Sequence, residues 1–188
     1  MATYPKLFAL ASVASTLAAC GTADQATLPD PSEAPTNVLF GTADMVGPNG
    51  ATLGTVEMQK VTSGIELKLK ATGLEPGEKA FHLHTVGDCS AADFTSAGGH
   101  LNPEGHTHGA LSDGGQHLGD LPNISVDETG SVNTEVLLET TLQDLPSVIF
   151  DEDGTAVMLH AGPDDYLTDP AGAAGPRIAC GVVQSPEG

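Results

Sequence analysis

All seven histidines of this 188-residue chain lie between residues 82 and 160, and six of them, with one aspartate, stand at spacings that suit metal ligation. His82 and His84 flank a single leucine, so in an extended segment both imidazoles leave the same face and can reach one ion. His100, His108, His117 and Asp120 offer three imidazoles and a carboxylate, the set a tetrahedral Zn2+ accepts. His160, far along the chain, can add a nitrogen to the first ion, and four imidazoles suit Cu2+ in a tetragonal arrangement. Seven ligand residues must then fill eight coordination positions, so one histidine is shared. His100, lying between the two groups, is the natural bridge. The seventh histidine, His106, belongs to neither set; it reads as a solvated loop residue or as a low-affinity handhold during copper loading by a partner.

These side chains need a frame, and the sequence supplies strands. Gly64-Ile65-Glu66-Leu67-Lys68-Leu69-Lys70 alternates, with Ile65, Leu67 and Leu69 on one face and a cationic wet face opposite. Shorter stretches of the same kind run over 38–44, 52–59, 79–84, 131–138, 155–160 and 178–183, with turn signals such as Pro48-Asn49-Gly50, Glu75-Pro76-Gly77 and Asp153-Gly154 between several of them. A helical period is confined to Leu142 to Leu145. Many short strands with Gly/Pro turns predict an all-β sandwich or barrel. Two long stretches, 85–123 and 161–176, interrupt the rhythm. Loops of that length in a compact domain are usually functional, and each starts directly after a ligand-type histidine.

The N-terminus reads as an export signal over 1–19: Lys6 gives a positive start, Leu7 to Leu17 a short apolar run, and Leu17-Ala18-Ala19-Cys20 resembles a bacterial lipobox with Cys20 as the acylated first residue. The alternative is an ordinary cleavage site with a chance cysteine. Residues 20–36, small, polar and proline-rich, read as a flexible tether, and 37–188 as the folded domain, which the usual size prior makes one unit. Gly21 lacks the aspartate that retains lipoproteins in an inner membrane, which points to outer-membrane sorting in a host that has one. Cys89 and Cys180 remain; in an oxidising compartment they suit one disulfide, the alternative being two unrelated buried thiols. A formal charge of −19 excludes nucleic acid as a partner and repels anionic membrane, so membrane attachment would run through the lipid on Cys20. Arg177 is the lone cation after Lys79. It reads either as a group with a task or as half of a surface ion pair worth about 0–1 kcal/mol.

The linked series FHLH (81–84), SAGGHLNP (96–103), HGA (108–110), HLGDLPN (117–123), LHAGPDDY (159–166) and GPRIACGVV (175–183) resembles the bacterial, exported copper-zinc superoxide dismutases, and with weaker similarity from Asn37 it spans the expected domain. The resemblance implies a Greek-key β-barrel of about eight antiparallel strands. It implies copper on His82, His84, His100 and His160, zinc on His100, His108, His117 and Asp120, and His100 bridging. It also implies that Asp164 accepts hydrogen bonds from His82 and His108, that Cys89 and Cys180 are joined, and that Arg177 orients the superoxide anion while His100 couples proton to electron transfer. Two departures stand out. Cys89 comes early in the interval before His100, and the 161–176 loop lacks the lysines commonly credited with guiding superoxide, its charges being Asp164, Asp165 and Asp169. Other classes are a copper-storage or delivery lipoprotein, against which the zinc subsite, Asp164 and Arg177 argue; a copper-only relative, disfavoured by His108, His117 and Asp120; and a metal-free adhesion domain, which would be expected to lose ligands where here none is lost. No motif distinguishes a monomer from a homodimer.

Overall fold

The computed structural model describes residues 38–186 apart from Gln143. The signal, the tether and Cys20 lie outside the described residues. Among the described residues no helix is long and apolar enough to cross a membrane.

Alternation does the building. In the strand Gly64–Ala71 (β3), Ile65, Leu67 and Leu69 are fully buried, while Lys68 on the other face sits 3.1 Å from both Glu66 and Glu135. Val38–Val46 (β1) and Thr52–Val61 (β2) precede it; Val132–Glu139 (β7), Ala156–His160 (β8) and Arg177–Val182 (β9) follow. With Phe81–His84 (β5) they form one antiparallel sheet in the order β5-β8-β9-β1-β2-β3-β7. Gly77–Lys79 (β4) pairs with Ile124–Val126 (β6), and only Ala80 separates β4 from β5, so β6 continues the series beyond β5. A turn closed by Asp127 N–H to Ser131 O, 2.9 Å, then leads from β6 into β7 at the other edge, which curls the sheet into the Greek-key barrel. Counted with β4 and β5 as one interrupted strand, the total is the eight expected.

The differences from the sequence reading are small and local. Three-residue strands hold too little alternation to show a period, so β4 overlaps the expected segment 79–84 only at Lys79, and β6 falls in the interval between the long stretch 85–123 and the segment 131–138. The helical segment is a single turn, Leu145–Ile149 (α1), starting where the periodic stretch ends and with Pro146 in its first turn, a position that needs no amide hydrogen.

One side of the barrel has a third layer. β5 and β8 are buried at every residue, which a two-layer barrel cannot achieve. Phe81, Leu83, Val157 and Leu159 enter the main core; Ala156 and Met158 face the other way and pack with Phe94, Ala97 and Cys180 in a satellite cluster. The long loops cover that outer face. A disulfide between Cys89 and Cys180, Cα atoms 5.8 Å apart, fastens the first loop to β9 across a sequence separation of 91. In the chain-entropy account a closure of that length stabilises by about 4–5 kcal/mol.

Candidate metal centre

The pleat of β5 sends Phe81 and Leu83 into the core, so His82 and His84 must leave by the covered face. Antiparallel pairing sets β8 beside β5, Phe81 opposite Leu159, and brings His160 to the same face one residue on. On the other side of β5 the first loop supplies two bridges, His84 with His100 and His82 with Asp120. Three backbones meet there: Leu83 N–H donates to Gly119 O (2.9 Å), Leu101 N–H to Leu83 O (2.8 Å) and Gly119 N–H to Leu101 O (2.9 Å). Residue 119 has no room for a side chain, since a Cβ would lie 2.3 Å from Leu83 O. The glycine inside HLGDLPN is therefore what lets Asp120 reach the site.

The ring nitrogens sort themselves. Four imidazoles spend one nitrogen on an outer oxygen acceptor: His82 Nε2 to Asp164 Oδ2 (2.7 Å), His108 Nε2 to Asp164 Oδ1 (3.0 Å), His84 Nδ1 to Gly98 O (3.0 Å) and His160 Nδ1 to Gly175 O (3.1 Å). A carbonyl or ionised carboxylate only accepts, so those nitrogens carry the protons and the opposite ones are bare lone pairs. The bare nitrogens, His82 Nδ1, His84 Nε2, His108 Nδ1 and His160 Nε2, are buried without a hydrogen-bond partner among the described residues, as is His100 Nε2. Buried lone pairs without donors are costly unless a cation fills the space between them.

They converge on two points. The atoms offered by His82, His84, His100 and His160 lie within 4.8 Å of one another, and so do those of His100, His108, His117 and Asp120. In the second group Asp120 Oδ1 is 2.7 Å from His100 Nδ1, 3.1 Å from His108 Nδ1 and 3.2 Å from His117 Nδ1. Ligands about 2.0–2.1 Å from a tetrahedral ion are spaced by about 3.3 Å, so these gaps fit one Zn2+ with little movement. Among the described residues His100 and His117 have no outer acceptor, and of the two only His100 belongs to both sets, its Nδ1 facing Asp120 and its Nε2 being unpartnered. All seven residues singled out as ligands are brought together, and all are buried.

Electrostatics favour cation binding. Burial depresses His84 to about 2 and His160 to about 4, and lowers His82 and His117, keeping these rings neutral and ready to ligate. Burial opposes ionisation of Asp120, yet the bond from His100 and the Gly109 N–H outweigh it and bring the carboxyl down to about 2. Asp164 is likewise opposed by burial and still held well below the usual carboxylate range by His82, His108 and the Tyr166 N–H. The site thus holds fixed negative charge among neutral nitrogens.

Arg177 lies beside this centre, Nη1 donating to Phe94 O (2.5 Å) and Nη2 to Gly98 O (2.6 Å). Gly98 O is the carbonyl that His84 also uses, so the arginine and a histidine of the first set share one acceptor. It is no surface ion pair. Three contributors escaped the sequence reading. Asn123 fastens Asp164 from both sides, its Nδ2 donating to Asp164 O (2.9 Å) and its Oδ1 accepting from Asp164 N–H (2.8 Å). Asp169 Oδ1 accepts from His108 N–H at 3.0 Å. At Gly172, φ +65°, a Cβ would fall 1.9 Å from Asp164 Oδ1. Asn123 ends the HLGDLPN motif and Asp169 is one of the three charges of its loop, but neither position names its partner, and Gly172 lies in none of the linked motifs. His106 stands apart from the first set: its Nδ1 donates to Gln116 O (3.0 Å), next to His117.

Residues 52–183 match the family described as copper/zinc superoxide dismutase. The chain is 47% identical over 145 residues to superoxide dismutase [Cu-Zn] 1 of Aquifex aeolicus, covering 76% of this chain and 86% of that one. Among solved structures it is similar to the Cu/Zn superoxide dismutase of Brucella abortus (TM-score 0.63, 32% identity, 76% and 98% of the two chains). It is also similar to a superoxide dismutase-like protein of Bacillus subtilis (TM-score 0.73, 36% identity, 78% and 100%).

Proposed function

The chain belongs to the copper/zinc superoxide dismutase family, and from that premise we propose how its own residues divide the work of turning two superoxide anions and two protons into O2 and hydrogen peroxide. Copper, when bound, supplies the one-electron Cu(II)/Cu(I) couple on which one superoxide is oxidised and the next reduced, while zinc has no redox chemistry. His82 Nδ1, His84 Nε2, His100 Nε2 and His160 Nε2 are assigned to copper; His100 Nδ1, His108 Nδ1, His117 Nδ1 and Asp120 Oδ1 are assigned to zinc. The observation that carries this reading is the set of buried, unpartnered nitrogens whose opposite ring atoms are already committed to oxygen acceptors.

Asp164 fixes the tautomer of one ring in each set, so the two positions are oriented together. His100 Nε2 is the one nitrogen of the first set on a ring with no outer oxygen acceptor, which suits it to hold a proton in one half of the cycle and release it in the other. Arg177 has two of its five N–H donors fixed by carbonyls, so its plane is set before substrate arrives, and the rest of the fork can orient a small anion. Against a formal charge of −19, attraction of superoxide has to be local to this arginine.

The disulfide suits an oxidising compartment. With the N-terminal signal it supports an exported enzyme of the cell envelope, held to a membrane by lipid on Cys20 and spaced from it by residues 21–36. The test is superoxide dismutation by the chain loaded with copper and zinc, compared with His100→Ala. Fast turnover that drops to background in the variant is expected; stoichiometric copper binding without turnover in the parent protein would instead assign it to copper storage or delivery.

A further inference from the structure

Solvent reaches the zinc-assigned side chains at one edge. The side chain of His117 is 8% exposed, against 2% for His100 and Asp120 and 0% for His108. That edge opens on a cleft of about 880 Å³ lined by His117, His106, Glu104, Glu139 and Lys60 among others, and by none of His82, His84 and His160. His106 is exposed yet held in place. Asn102 Oδ1 accepts from its N–H (3.0 Å), Asn102 Nδ2 donates to its carbonyl (2.9 Å), and its ring Nδ1 donates to Gln116 O (3.0 Å). The ring lies over Gly115, where φ is +86° and a Cβ would come within 3.4 Å of Nδ1. Because a carbonyl only accepts, Nδ1 keeps the proton and Nε2 keeps a lone pair. A pre-ordered imidazole loses little rotamer freedom on ligating a cation. Glu104 and Glu139 raise the local cation concentration, with Lys60 the single opposing charge on the lining.

We propose that His106 Nε2 is a capture ligand for zinc: it takes Zn2+ from solution in this cleft and hands it by ligand exchange to His117, so that the zinc position fills from this side. The cleft sides with His117, which makes the handhold one for zinc and not for copper. The step breaks one zinc–imidazole bond and forms another, with no change of charge. The proposal rests on the assignment of His117 to zinc.

The experiment follows zinc uptake by the full-length metal-free protein after rapid mixing with zinc sulfate, with a zinc-sensitive dye reporting the free ion. The parent protein should show an uptake rate that saturates with zinc, the mark of a pre-equilibrium. In His106→Gln uptake should be about tenfold slower and linear in zinc and, because His106 is no ligand in the filled site, zinc release should slow by the same factor, while final stoichiometry and melting temperature stay as in the parent. Equal rates in both proteins at every concentration would overturn the proposal. So would a slower uptake accompanied by faster release and a lower melting temperature, since that is a loosened loop. Uptake that is unchanged in His117→Ala, with zinc retained, would remove the assignment of His117 and the proposal together.

Discussion

The two candidate ligand sets are held by different means. His82, His84 and His160 stand on adjacent strands buried on both faces, and their geometry follows from the β5–β8 register. His100, His108, His117 and Asp120 stand on a loop with no sheet of its own, and their geometry follows from convergence on one carboxylate and from a few close backbone approaches. The first set is therefore placed by the barrel before any ion arrives. The second depends on staples, chiefly Gly119, Asp164 and the disulfide, and on the ion that replaces the repulsion among its lone pairs. His100 belongs to the second set by chain position and to both by geometry.

Acid should expose the cost of the strand-held set. His84 and His160 have folded values of about 2 and about 4, below the ordinary 6.5, so between those limits the unfolded chain binds more protons than the folded one. Stability of the metal-free protein is then full above the ordinary value and falls as pH drops through it, at about 1.4 kcal/mol per pH unit per group. These two rings account for about 4 kcal/mol between pH 7.5 and pH 5, and the lowered His82 and His117 add to it in the same direction. Chemical denaturation of the metal-free protein across that range should show the decline, and the copper- and zinc-loaded protein should hold a plateau to lower pH. A flat profile without metal would mean that the rings are solvated and the barrel does not preform the set.

Asp164→Ala breaks the comparison at the one residue that serves both sets. It leaves two buried imidazole N–H groups without acceptors and frees both rings to turn. The loss of such an outer carboxylate lowers metal affinity by about 10–100-fold. Zinc should suffer more than copper, because His108 has no strand to hold it while His82 has. Competitive titration with a chelator reads both affinities; equal losses would mean that β5 does not hold His82 independently. Gly172→Ala should imitate this variant in part, since its Cβ would displace the Asp164 carboxylate from a backbone already at φ +65°. A destabilisation of about 1–3 kcal/mol is expected, with a zinc loss smaller than that of Asp164→Ala.

What could be read in the sequence divides along the same line. Strand-held ligands are legible because alternation is a strong signal and His-x-His on an extended segment fixes a shared face. The loop-held ligands were legible as residue types and spacings, with Asp164 known through resemblance; what held them was not. Gly98 and Gly175 act through carbonyl oxygens, which no side chain advertises. Asn123 works through a pair of hydrogen bonds to a residue 41 positions away, and nothing in its neighbourhood predicts that partner. β4 and β6 were missed for a simpler reason, three residues being too few to show a period.

Arg177 offers the sharpest separation of rate from metal binding. The guanidinium is tied to the carbonyls of Phe94 and Gly98, in the loop segment that the disulfide fastens to β9, and it ligates nothing. Arg177→Ala should lower the dismutation rate about tenfold, equivalent to about 1.4 kcal/mol in the barrier, with copper and zinc content unchanged. Arg177→Lys keeps the charge but cannot hold both carbonyls and present a fork, so it should recover only part of the rate. If the lysine variant matched the parent protein, attraction alone would explain the arginine, and its fixed plane would be incidental. Metal loss in the alanine variant would show a different dependence: His84, which shares the Gly98 carbonyl with Arg177, would then owe its position to that carbonyl more than to β5, and the strand-held set would be less independent of the loop than its burial suggests.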